Sequence, residues 1–173
     1  MENVFRVYQR FTEFILKVVL AFASIVIGLD VLSIFLEALG RYVFGSSRAF
    51  MEEFPRLLVP FVVFPMMGVL LKFKRHIGVD VLPDMLEGKK RALILIIAYS
   101  VVLAVAVQFL FAGVIAVKYY YQMGFETQTE IIFPVWVTYL PFPLGFGLLI
   151  LFSLEMIFQE LMTLMKLVKG VKI

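Results

Sequence analysis

The stretch FILKVVLAFASIVIGLDVLSIFLEALGR, residues 14 to 41, decides how the chain is read. Its apolar run from Phe14 to Leu36 is long enough for a bilayer, which takes about 20 residues of α-helix. Asp30, Ser33, Glu37 and Arg41 are polar residues within or just beyond it. At about 100° per residue, Asp30, Glu37 and Arg41 fall within a few tens of degrees of one line along a helix, with Ser33 beside them. Carboxylates and a guanidinium at membrane depth cost at least a few kcal/mol each unless they meet one another, water or a protein partner. That line therefore cannot face lipid. Glu37 and Arg41 can pair at i, i+4, but Asp30 lies nearly two turns deeper without an obvious mate in its own helix. The helix is expected to have a neighbour along this face.

The composition agrees. Hydrophobic residues make up 62% of the 173-residue chain, and the mean hydropathy is +1.00. Soluble domains use roughly 45–50% apolar residues, so a water-soluble globule is excluded and an integral membrane protein is indicated. Cysteine is absent, which excludes disulfide scaffolds and thiol catalysis. The one histidine, His76, cannot supply the paired axial ligands of a membrane cytochrome b. A sequence pI of 9.2 with net charge +3 invites a nucleic-acid reading, but the basic residues border apolar runs instead of forming an interleaved patch.

Four spans are predicted, at about 14–36, 54–73, 92–117 and 135–158, in one all-α membrane domain covering 1–173. The first is expected to be retained, since no small-residue cleavage pattern follows it. Between spans two and three, Asp80 can cap a short helix over about 80–88, with Pro83 in its first turn and Val81, Leu82, Met85 and Leu86 on one apolar face. That pattern predicts a helix lying in the interface, with His76 and Asp80 as interfacial residues. Span two carries Pro60 and Pro65 after Pro55, read as structural bends. In span three, Ala104, Gln108, Ala112 and Ala116 repeat every four residues, a small-residue packing seam holding one amide. Glu155 and Glu160 are expected near the membrane surface, solvated by snorkelling or water contact.

No catalytic constellation emerges from the sequence: no nucleotide-binding glycine loop, no histidine cluster for zinc, and no serine–histidine–acid set in register. The Glu52–Glu53 pair lies beside Arg48 and Arg56 at the head of span two, where acidic residues complement the helix dipole. It is read as charge pairing and partner docking. The chain is therefore expected not to be an enzyme and to need no cofactor of its own.

Several local patterns recur in order: Arg41-Tyr42-Val43-Phe44; Phe50-Met51-Glu52-Glu53 with Arg56; His76-Ile77-Gly78-Val79-Asp80-Val81-Leu82-Pro83; and Pro134-Val135-Trp136 with Tyr139 and Pro141-Phe142-Pro143-Leu144-Gly145. Together they resemble the small membrane subunit of tripartite ATP-independent periplasmic (TRAP) transporters, a DctQ-like chain. Phe50 and Glu37 stand where the family commonly has Trp ahead of the acidic pair and Asn four residues before the arginine. The resemblance implies a non-catalytic subunit of a sodium-coupled secondary transporter for organic acids in a bacterial inner membrane. A large membrane subunit would hold the substrate and sodium, and a soluble periplasmic protein would deliver the substrate. On that reading Asp30, Glu37, Arg41 and Gln108 are expected to contact the large subunit, and Arg48, Glu52, Glu53, Glu126 and Glu130 to help dock the binding protein. The rival reading is a self-contained four-helix channel or small exporter acting as a homo-oligomer.

Basic residues give the orientation. Twelve of the sixteen fall before span one (Arg6, Arg10, Lys17), between spans two and three (Lys72, Lys74, Arg75, Lys89, Lys90, Arg91) or after span four (Lys166, Lys169, Lys172). Arg41, Arg48, Arg56 and Lys118 lie on the opposite side. The positive-inside rule then predicts both termini in the cytoplasm. Single cysteines can be introduced without background. Those near Ser46 and Gln128 should react with an impermeant thiol reagent from outside, and those near Glu87 and Lys169 should not; external labelling at Glu87 would reverse the topology.

Overall fold

In a computed structural model the described residues are almost wholly helical. Residues 2–45, 49–73, 88–128 and 132–168 are described, except for the side chains of 2–4, 44 and 49–52. The elements are α1 (Glu2–Phe44), α2 (Ala49–Lys72), α3 (Gly88–Met123), α4 (Val135–Tyr139) and α5 (Pro141–Val168). By length and composition four helical segments can cross a membrane, with α4 and α5 together forming the fourth. The helices outrun the apolar stretches that announce them. At 1.5 Å per residue the 43 residues of α1 extend about 64 Å, more than the ~45 Å of a bilayer with its headgroups. The expected interfacial helix at 80–88 lies outside the described residues, apart from Gly88, which begins α3.

Neighbouring helices pack in the order α1, α2, α5, α3. Substantial contacts join α1 to α2, α2 to α5 and α5 to α3, whereas α1 and α5 meet only slightly and α1 and α3 make no substantial contact. The four spans thus form an open row with α1 and α3 at its edges. Each edge helix buries one stripe. On α3 this is Ala92, Leu95, Tyr99, Ala106 and Gly113. On α1 it is Thr12, Val19, Ala23 and Val26. Only the central α5 is extensively buried along its length, from Pro141 to Glu160.

Small residues and phenylalanines set the helix approaches. A Cβ on Gly145 would stand 2.5 Å from the backbone carbonyl carbon of Phe64, and one on Gly68 would stand 2.8 Å from the Phe152 ring. These two glycines bring α2 and α5 close together, the function that small residues serve at membrane helix crossings. Above the crossing, Phe142 meets Phe64 edge-on at 5.0 Å and Phe146 at 4.8 Å, while Phe109 of α3 stacks on Phe146 at 5.1 Å. Offset and edge-to-face aromatic pairs of this kind add about 0.5–1.5 kcal/mol each beyond area burial. The prolines of α2 do not interrupt it: Pro55, Pro60 and Pro65 all lie inside one continuous helix.

At the end carrying both termini, polar contacts tie three helices together. Lys72 Nζ, at the last residue of α2, donates to Thr12 Oγ1 at 3.0 Å and lies 2.9 Å from Glu155 Oε2. The latter contact is an ion pair without the direction of a hydrogen bond. The same ammonium lies 5.5 Å from the centroid of the Phe152 ring. Glu155 Oε1 accepts from the Gln159 amide at 3.3 Å, and the Tyr8 hydroxyl donates to the Leu151 carbonyl at 2.7 Å. Glu155 is 1% exposed, correcting the expectation that it is solvated by snorkelling or water: its carboxylate is covered by neighbouring helices and meets Lys72 instead. Glu160 is also largely buried but lines a cleft of about 250 Å³ with Gly88 and Arg91.

Two outcomes follow. Gly145→Ala should lower stability by about 1–3 kcal/mol through overpacking against the α2 backbone, whereas Gly147→Ala, whose Cβ meets nothing within 4 Å, should be within about 0.5 kcal/mol of the parent. Thermal unfolding of the purified chain in one detergent checks both. Glu155→Met or Lys72→Met alone strands a buried charge and should cost about 3–5 kcal/mol, while the double Met variant should recover most of that loss. A loss in the double variant equal to the sum of the two single losses would show that the charges do not depend on one another.

Candidate functional site

The polar line of α1 continues the seam that the same helix buries. Thr12, Val19, Ala23 and Val26 are followed at alternating steps of four and three residues by Asp30, Ser33, Glu37 and Gly40. The first four are buried and the last four half-buried. Steps of three and four keep residues on one helix face. One stripe therefore starts as an apolar contact with α2 and becomes polar in the half of α1 farther from the N-terminus. The residues around its polar half, including Val31, Leu32, Ile34 and Phe35, are exposed.

Each polar group on the stripe has a different status. Ser33 Oγ donates to the Leu29 carbonyl at 2.9 Å, so the helix satisfies it internally. Arg41 donates to Glu37, the i, i+4 pair expected from the spacing. The Glu37 side chain is 16% exposed and that of Arg41 62%, so the pair is open on one side and is worth under about 1 kcal/mol to this chain. Asp30 differs. Its Oδ1 is enclosed and has no hydrogen-bond partner among the described residues. An enclosed polar oxygen without a partner is costly, which makes Asp30 the strongest indication of an external contact.

Gln108 lies elsewhere. It is exposed on α3, with Ala104 and Ala112, on the side opposite Ala106 and its buried seam. The expected four-residue seam is thus not the one α3 uses within this chain. Leu95, Tyr99 and Ala106 pack instead against Phe146, Leu149 and Met156 of α5. Because α1 and α3 form opposite edges of the row, Asp30, Glu37 and Arg41 are not brought together with Gln108.

At the end away from the termini, stacked Tyr120 and Tyr139, with ring centroids 4.5 Å apart, join α3 to α4, and Tyr121 meets Trp136 edge-on at 5.7 Å. Gly124 closes α3 at φ +64°, a conformation glycine adopts without a Cβ penalty. The loop then folds back on itself: the Val135 amide donates to the Phe125 carbonyl at 2.9 Å and the Thr127 amide to the Phe133 carbonyl at 3.0 Å. Glu126 is exposed on this pinched loop, while Glu53 is half-buried near the start of α2. Arg48, Glu130, His76 and Asp80 lie outside the described residues, as does the side chain of Glu52. Among the described residues no group of three His, Cys, Asp or Glu side chains could hold a metal ion. What sequence reasoning missed is that Thr12, Lys72 and Glu155 meet. An acid inside the last span and a lysine closing the second were a detectable signal, but their shared depth was not.

No curated protein matches the chain. The family model described as "Tripartite ATP-independent periplasmic transporters, DctQ component" matches residues 30–163, a region that begins at Asp30 and takes in α2, α3 and most of α5. With four membrane-length helices and that match over most of its length, the chain belongs to the DctQ family, a small membrane component of tripartite ATP-independent periplasmic transporters.

Proposed function

We propose that this chain is the non-catalytic small subunit of a sodium-coupled TRAP secondary transporter for organic acids, and that it braces the large transport subunit. Family membership supplies the class of assembly and, with it, a large membrane subunit and a periplasmic binding protein as partners. The enclosed, unpartnered Oδ1 of Asp30 carries the inference that α1 meets one of them. Because Asp30 as a whole is only half-buried, a turn of its carboxylate brings an oxygen to the outer face of α1, where a donor from a neighbouring helix that also covers the exposed residues beside it would remove the largest unsatisfied polar cost on the stripe. Glu37 and Arg41 extend that contact toward the membrane surface. Gln108, on the other edge, is a separate contact strip.

Substrate and sodium are assigned to the large subunit, with no cofactor in this chain. The termini face the cytoplasm on this reading. Arg48, Glu52, Glu53, Glu126 and Glu130 then face the periplasm, where they help dock the binding protein. An open row of helices with two uncovered edges favours a chain that assembles with others over one that encloses a path by itself, and reconstitution separates a partner subunit from a homo-oligomeric channel or exporter.

Reconstitution tests the role. The chain alone in liposomes should show no sodium-dependent organic-acid uptake, and uptake should appear with the large subunit and binding protein; transport by this chain alone would overturn the assignment. Asp30→Leu should reduce co-purification of the large subunit more than Asp30→Asn, which retains hydrogen-bonding capacity, with a loss of about 1–3 kcal/mol in assembly. Glu37→Ala and Arg41→Ala should each cost under about 1 kcal/mol. If all four variants assemble and transport like the parent, the stripe is not an intersubunit contact.

A further inference from the structure

The outer face of α3 carries a seam that no described residue covers. Ile97, Val101, Ala104, Gln108, Ala112 and Ile115 follow one another at steps of three and four residues, which keeps them on one side of the helix. All six are exposed, and they lie opposite the stripe of Leu95, Tyr99 and Ala106 that packs on α5. The seam is symmetric about its centre. Four residues to either side of Gln108 stands an alanine, and seven residues to either side a β-branched residue, Val101 or Ile115.

The amide at the centre is what requires a partner. Gln108 lies 11 residues before Tyr119, the first tyrosine of the aromatic cluster at one interface, or about 16 Å at 1.5 Å per residue. The hydrocarbon core is about 30 Å thick, so Gln108 sits near its middle, too deep for its short side chain to reach headgroups or water. Ser100 on the same helix donates to the Ile96 carbonyl at 2.7 Å and is satisfied internally. The Gln108 amide has no hydrogen-bond partner among the described residues, and lipid tails offer it neither a donor nor an acceptor.

Depth and symmetry say what can cover the seam. Copies of one chain insert in one orientation, so a two-fold axis along the membrane normal brings each residue of α3 to the level of its own counterpart. An amide holds both a donor and an acceptor, so two Gln108 side chains can satisfy each other reciprocally. An ionised carboxylate only accepts, so Asp30 on the opposite edge needs a partner of another kind. Ala104 and Ala112 allow the two helices to approach within reach of the amides. From Ile97 to Ile115 the seam runs about 27 Å, nearly the depth of the hydrocarbon core.

We propose that this face of α3 is a parallel homodimer interface, in which two copies of the chain pair through Gln108 between closely packed alanines. A single polar residue in an apolar seam fixes register as well as partner, because a slip leaves both amides unpaired. The inference goes beyond the contact assigned to α1, since a second copy on α3 leaves the other edge of the row to the large subunit.

Disulfide crosslinking of the full chain, co-expressed with the large subunit in membranes, tests the geometry, because the chain itself has no cysteine. Under a mild oxidant A104C and A112C should each give a dimer of the chain, and V114C, exposed on α3 but away from the seam, should give little. Q108L should weaken association of labelled copies in liposomes, read by energy transfer, by about 3- to 30-fold, and Q108N should lose less. Co-purification of the large subunit should be unchanged in Q108L, and the dimer should survive D30L, which separates the two edges. Crosslinking at V114C equal to that on the seam, no dimer from either alanine position, undiminished association of Q108L, or loss of the large subunit from Q108L would each overturn the proposal, the last by placing that subunit on the seam.

Discussion

An ammonium and a carboxylate that share little water constrain the packing of this protein. Lys72 ends α2, Glu155 lies inside α5, and Thr12 is on α1, so one cluster of contacts fixes three helices at one depth. Its energetic character is asymmetric. A buried pair adds little net stability over well-packed apolar residues, but either charge left alone is heavily penalised. Sliding α2 against α5 by one helical turn would separate the two charges. The cluster thus works chiefly against alternative registers, and the Gly145 and Gly68 contacts, which allow close approach only where there is no side chain, select the same register higher in the membrane.

The row of helices follows from how little each edge helix has to bury. In a bilayer, lipid solvates apolar side chains, so an exposed Leu or Phe carries no penalty and there is no pressure to close a bundle. What must be covered is polar. On α5 the polar groups are buried among neighbouring helices, whereas on α1 the polar half of the stripe is only partly covered, and Asp30 Oδ1 has no hydrogen-bond partner among the described residues. A chain with this distribution is suited to an assembly in which a partner supplies the missing group.

The two ends of the row differ in chemistry. One end is pinned by stacked tyrosines, a tryptophan and a loop that folds back on itself, which orders the acidic segment around Glu126. The other carries the Lys72–Glu155 pair and, beyond it, a cleft between α1 and α5 whose walls come from residues more than 150 positions apart in the chain. The first depends mainly on contacts between segments close in sequence. The second exists only because α2, packed against both, brings the first and last helices to the same end of the row.

Much of this was legible before any coordinates. Hydropathy alone gives four spans, since about 20 apolar residues can do little else, and the spacing of Glu37 and Arg41 gives their pair, since i, i+4 neighbours meet on any α-helix. The ordered motifs from Arg41 to Gly145 pointed to the family. Periodicity along one helix was less reliable about what that face meets: the Ala104-Gln108-Ala112 repeat has the form of a packing seam, yet α3 packs through its opposite face, because the shape of α5 decides which stripe fits. Nor could the sequence pair Lys72 with Glu155, 83 residues apart, or put Arg6 and Lys166 on the walls of one cleft. Those contacts depend on which helices are neighbours and at what depth, and local spacing holds neither quantity. The sequence by itself determined the number of spans, the polar line on α1 and the kind of assembly; only the tertiary structure decided which charges neutralise each other, because pairing across helices is set by packing in three dimensions.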